Sequence, residues 1–179
     1  MKHVLMALTL IALPLPALAE TCPEALPIDA DMDRLVAQVQ RAPDQMAARA
    51  ISAEMWKLWL QAPDEYSQNL LDSAMARRNV ADYGAAESAL TSLVQYCPFY
   101  AEGWNQRAFV RFLQSDWEGA LTDLDQALKF NPRHTGALTG KALTLINAGR
   151  DDEAQPVLRE ALDLNPWLSE RALLRGEDL

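Results

Sequence analysis

The stretch Ala101–Pro132, AEGWNQRAFVRFLQSDWEGALTDLDQALKFNP, carries two helical patterns separated by one break. Trp104, Ala108, Arg111 and Phe112 recur at steps of three and four, as do Ala120, Leu124, Ala127 and Leu128, so each set falls on one face of a helix. Asp116 stands just ahead of the second set, where its side-chain oxygen accepts from the unpaired N–H groups of a first turn. Asn131-Pro132 closes that set, because proline excludes helical geometry from the residue before it. The segment predicts a helical hairpin.

Sliding the chain by 34 residues superimposes Pro98, Pro132 and Pro166, and likewise Ala86, Ala120 and Ala154. Leu90, Leu124 and Leu158 follow the same step, as do Leu93, Ala127 and Ala161, then Ala74, Ala108 and Ala142, then Leu70, Trp104 and Leu138. Asp82 and the pair Asp151-Asp152 repeat the cap position of Asp116, and Gly149 supplies a left-handed stop in the last unit. A unit this small cannot bury its apolar face alone, so successive units must stack.

These residues resemble the tetratricopeptide repeat family: A-E-G-W-N-Q-R-A followed by S-D-W-E-G-A-L-T-D-L-D-Q-A-L-K-F-N-P matches its Trp, small, Ala, large apolar, Ala and Pro landmarks. The resemblance covers residues 67–100, 101–134 and 135–168. It implies an all-α, right-handed α-α superhelix acting as a non-catalytic protein-interaction module, with the first helices of successive units lining a concave groove. Carried onto this sequence, the groove-lining pattern falls on Gln68, Leu71, Met75 and Arg78, then Glu102, Asn105, Phe109 and Phe112, then Gly136, Thr139, Leu143 and Ile146. Asn105 would bond a ligand backbone and Arg78 an acidic residue, with a solvated surface position as the equal alternative for each. The positions of the family's carboxylate clamp hold Leu71, Met75, Gln106, Gly136 and Gly140, which lack its cations. Arg77 and Arg111 stand where the family carries an aromatic, so each must snorkel or find an acid. Pro156 falls inside the last second helix and is expected in its first turn, where the missing donor costs little.

Upstream, residues 31–66 lose the landmarks but keep two helical patterns, Leu35, Val36 and Val39, then Met46, Ala50, Ile51, Met55, Leu58 and Trp59. They predict a degenerate capping hairpin, preceded by an irregular arm over 20–30 with Pro23 and Pro27. A short helix from Leu168 to Leu174, leading into a cap and tail over 169–179, is expected at the other end.

The first nineteen residues are read as an export signal: Lys2 and His3, an apolar run from Val4 to Leu18, and Ala17-Leu18-Ala19 as a cleavage site before Glu20. A membrane anchor is the competing reading, but the run is shorter than the ~20 residues that span a bilayer. Removal of Lys2 leaves 15 Lys plus Arg against 25 acids, a soluble periplasmic or secreted product of charge −10 with no later stretch for membrane insertion. Such a charge opposes the counterion release that nucleic-acid binders exploit, so neither nucleic acid nor an anionic membrane is an expected partner. In an oxidising compartment the two cysteines most simply form one disulfide, Cys22 to Cys97. Two free thiols, an intermolecular bridge and an exchanging redox couple remain open beside it.

Little else in the sequence carries chemistry. His134 is the one histidine after the leader and reads as a junction loop residue. The spacing of the cysteines and histidine suits no zinc site, and neither a Walker-type phosphate loop nor a Gly-x-Gly-x-x-Gly stretch occurs, so no metal or cofactor is expected. Asp151-Asp152 and Asp123-Asp125 are assigned to caps and solvated helix faces. Trp56, Trp59, Trp104, Trp117 and Trp167 are read as packing residues in preference to a carbohydrate-stacking set. The apolar strip of Leu71, Met75, Phe109, Phe112, Leu143 and Ile146 has three possible covers: a partner peptide or helix, a second copy of the chain, or the chain's own hairpin and arm.

Overall fold

The computed structural model describes residues 21–176; the expected leader and the last three residues of the tail lie outside it. Eight α-helices follow the short arm: α1 Asp29–Gln40, α2 Gln45–Trp59, α3 Glu65–Asn79, α4 Tyr83–Tyr96, α5 Ala101–Leu113, α6 Trp117–Phe130, α7 Thr135–Asn147 and α8 Asp151–Leu164. A 3₁₀ turn, Ser169–Leu173, closes the described chain where the tail helix was expected. Among the described residues there is no strand, and no helix is long and apolar enough to cross a membrane.

The three repeats pair α3 with α4, α5 with α6 and α7 with α8, and each pair packs on the next to form an α-α superhelix. The alanine columns explain the close approach. Ala86, Ala120 and Ala154 are fully buried, as is each residue of the column Leu93, Ala127 and Ala161, so helix backbones meet with larger leucines filling the gaps. Leu71, Leu90 and Leu93 centre the first core, Leu124 the second, and Leu145 with Leu158 the third.

The turn inside each repeat is also repeated. Ala81, Ser115 and Gly149 stand 34 apart and all adopt positive φ, at 60°, 62° and 74°. In each case the following amide reaches back to close the first helix: Asp82 to the Arg77 carbonyl, Asp116 to Arg111 and Arg150 to Leu145. The chain then turns directly into the second helix, where Asp82 accepts from the Ala85 amide and Asp116 from the Gly119 amide. The third repeat departs: Arg150 occupies the cap without a side-chain capping bond, and Asp151 and Asp152 lie inside the first turn. Since α8 begins at Asp151, Pro156 is its sixth residue rather than a first-turn residue, and the ladder bond it would donate to Asp152 is lost.

The N-terminal hairpin forms from the expected patterns, with Met32, Leu35, Val36 and Val39 of α1 packed on Ala48, Met55 and Trp59 of α2. Its position follows from contacts far along the chain. Leu164 and Trp167 pack against its core, Gln40 donates to the Asp163 carbonyl, Gln45 to the Trp167 carbonyl, Asn165 to Ser52 Oγ, and Arg133 pairs with Asp33. The hairpin therefore reaches across the inner face to the third repeat. Both of its ends are held at the first repeat: Cys22 is disulfide-bonded to Cys97, Cα atoms 5.1 Å apart, and Asp64 accepts from Tyr96 Oη at 2.8 Å.

Candidate functional site

The inner face is built by α3, α5 and α7, with α2 laid over it, and a chamber of about 700 Å³ remains between them. Eight of the twelve groove positions expected from sequence, Met75, Arg78, Asn105, Phe109, Phe112, Gly136, Thr139 and Leu143, line this chamber. Gln68, Leu71, Glu102 and Ile146 do not. Leu71 is fully buried against Leu90 and Val110 in the first core, and Ile146 packs on the core around Leu145 and Leu158, because each is turned toward the second helix of its own repeat. The strip is thus covered in part by the chain's own hairpin and in part open, with Phe109 44% exposed. Trp56, Trp59 and Trp167 complete the chamber from the hairpin side and the C-terminal end. Gly136 admits Trp56: a Cβ there would come within 2.9 Å of the indole.

His134 is not a loop side chain. It is fully buried at the N-cap of α7, where Nδ1 accepts the Ala137 amide at 3.2 Å. That bond fixes the ring proton on Nε2, which donates to Glu102 Oε2 at 2.8 Å. Asn105 and Gln106 also donate to the Glu102 carboxylate, and Gln106 in turn accepts from Arg78. A continuous polar chain, His134, Glu102, Gln106, Arg78, thereby runs beneath the chamber. Asn105 and Arg78 are engaged in this framework as well as lining the open space. Burial weakens the hold of Arg78 on its proton, with the Glu102 charge opposing that shift.

Away from the chamber, Asp123 is fully buried instead of lying on a solvated face. Arg107 grips it with two bonds of 2.7 and 2.8 Å, and Arg111 approaches to 3.0 Å. Arg111 also donates to Glu87 at 2.9 Å; burial pushes the Glu87 carboxyl up, but the bonds from Arg111 and Gln114 and the guanidinium charges outweigh it and hold it low. Arg111 thus finds two acids, whereas Arg77 makes an exposed pair with Asp82. Asp125 is exposed and pairs with Lys141. Trp104 and Trp117 pack within the repeats, Trp104 donating to the Pro98 carbonyl and Trp117 meeting Phe112 edge-on. Among the described residues, no group of three His, Cys, Asp or Glu side chains is arranged to hold a metal.

Three kinds of likeness bear on this arrangement. The family model described as tetratricopeptide repeat matches residues 111–174. A TPR repeat-containing protein of Rhizobium etli is 30% identical over 135 residues, covering 75% of this chain and 66% of that protein. Among solved structures, the first TPR of Spaghetti (RPAP3) bound to an HSP90 peptide aligns with a TM-score of 0.59 at 18% identity, over 60% of this chain and 86% of its own. The TPR2B domain of yeast Sti1 in a complex with pHsp70 gives 0.57 at 20% identity, over 62% and 91%. The MamA crystal structure gives 0.53 at 15% identity but extends over 85% of this chain and 82% of its own. The repeat landmarks, the stacked hairpins and these matches agree: the chain belongs to the tetratricopeptide repeat family.

Proposed function

We propose that this chain is a non-catalytic adaptor of the bacterial periplasm or cell envelope, holding a segment of a partner protein in the concave groove of its repeats. The observation that carries this reading is Phe109, a large apolar side chain left 44% exposed on the inner face beside Met75, Phe112 and Leu143. Two domains of similar fold are in complex with an HSP90 peptide and with pHsp70, which supports peptide capture as the mode. The export-signal pattern of the first nineteen residues and the pairing of Cys22 with Cys97 support the envelope setting. Full burial of Cys97 favours a structural bond over an exchanging thiol couple.

The test is in-cell photo-crosslinking from a position on α5 next to Phe109, followed by mass spectrometry. Phe109→Glu and Leu143→Glu are expected to abolish the crosslink to a specific envelope protein while far-ultraviolet circular dichroism stays unchanged. Crosslinking that persists in both folded variants rejects the groove as the partner site. Sedimentation of the purified chain separates an adaptor from a self-associating oligomer that uses the same strip.

A further inference from the structure

The chamber wall holds a cation that the protein itself does not pair with an acid. Trp59 lines the same wall with a buried indole whose Nε1–H has no acceptor among the described residues and is closed off from the open space. Arg78 is half-buried with its guanidinium 5.2 Å over the Phe109 ring, and it donates only to the neutral amides of Gln106 and Asn79. Its situation differs from that of the other buried or half-buried arginines. Arg107 holds Asp123, Arg111 holds Glu87 and Asp123, and Arg150 holds Glu153 and Glu118. The nearest acid to Arg78 in the polar chain is Glu102, whose oxygens are already taken by His134, Asn105 and Gln106. Across the chamber Arg49 of α2 adds a second cation with no acid partner among the described residues, and Glu170 is the one acid on the lining.

A cation drawn out of water asks for an anion. The surroundings are otherwise apolar and aromatic, and the volume lies in the range of small-molecule sites, roughly 300–1,000 Å³. We infer that the chamber under α2 is a binding site for an apolar monocarboxylate, its hydrocarbon body among Trp56, Phe109, Phe112 and Leu143 and its carboxylate accepting from Arg78. This goes beyond the adaptor reading, since such a ligand is a free small molecule enclosed by the hairpin and not a segment of a partner.

The test is titration of the purified full chain with decanoate, decanol and decyltrimethylammonium, read by calorimetry and by the ¹⁵N–¹H indole resonances, with Trp59 assigned through Trp59→Phe. Decanoate is expected to saturate at one equivalent and to shift the Trp59 resonance, binding at least tenfold more tightly than decanol or the cation. Arg78→Gln brings decanoate down to the affinity of decanol, and Arg78→Lys, which keeps the charge, retains most of the preference. Leu143→Trp, which fills the chamber, removes binding of all three. Absence of saturable decanoate binding overturns the inference. So does equal affinity for acid and alcohol, or a preference untouched by Arg78→Gln.

Discussion

Trp59 of α2 lies flat on the imidazole of His134, with ring centroids 4.1 Å apart and planes 16° from parallel. The stack joins the N-terminal hairpin to the cap of α7, 75 residues later in the chain, and so couples the lid of the chamber to the polar chain beneath it.

Replacing Trp59 by Ala removes this stack along with the contacts of Trp59 to Trp56 and to the α1–α2 core. A loss of about 3–5 kcal/mol is expected for a buried tryptophan. Urea unfolding measures it, and native-state hydrogen exchange locates it: residues 29–60 should lose protection while α5 and α6 keep theirs.

Glu102 accepts from three buried donors, so Glu102→Ala leaves all three without their acceptor. Stability should fall by at least about 3 kcal/mol, since each orphaned donor costs about 1–3 kcal/mol. A midpoint in urea equal to that of the parent chain would show that Glu102 does not hold the junction.

Asp123→Ala leaves Arg107 without its bidentate acid and Arg111 with Glu87 alone. Breaking a buried pair from one side costs about 3–5 kcal/mol. The companion Arg107→Ala should cost a similar amount and the double variant much less than the sum, which a double-mutant cycle in urea reads directly.

The Asp64 carboxyl is held below its ordinary value of 3.8, chiefly by the Ser67 hydroxyl and then by the Ser67 amide, with a smaller share from Tyr96 and burial opposing. A depressed folded-state value means that the unfolded chain takes up the proton first on acidification. The contribution is therefore complete well above pH 3.8 and is lost as pH falls through the folded value. Urea midpoints measured from pH 6 to pH 2.5 should decline at the acid end, and Asp64→Asn should decline less steeply over the same interval.

The 34-residue period made the repeats readable because stacking imposes the same burial at the same place in each unit: Ala86, Ala120 and Ala154 are all fully enclosed. The left-handed turn was legible only at Gly149. Ala81 and Ser115 occupy the same column and adopt the same geometry without a residue type that announces it, and the column spacing alone could have found them. Where the hairpin lies was not legible, because Trp59 meets His134 and Gln40 meets the Asp163 carbonyl through long-range packing that leaves no periodic mark. Asp123 and His134 misled for a related reason. A charged or polar side chain on a helix or at a junction reads as solvated until the partner on the neighbouring helix, Arg107 or Glu102, is placed beside it.

The Cys22–Cys97 bond and the Asp64–Tyr96 contact fasten the two ends of the hairpin excursion to the same repeat, and Thr21 and Asp64 line one hollow there. The intervening chain is a lasso rather than a free arm. A proteolytic nick in the exposed bend around Arg41 and Pro43 consequently yields two fragments that still travel as one particle, and only a reductant lets the shorter piece, carrying α1, drift away.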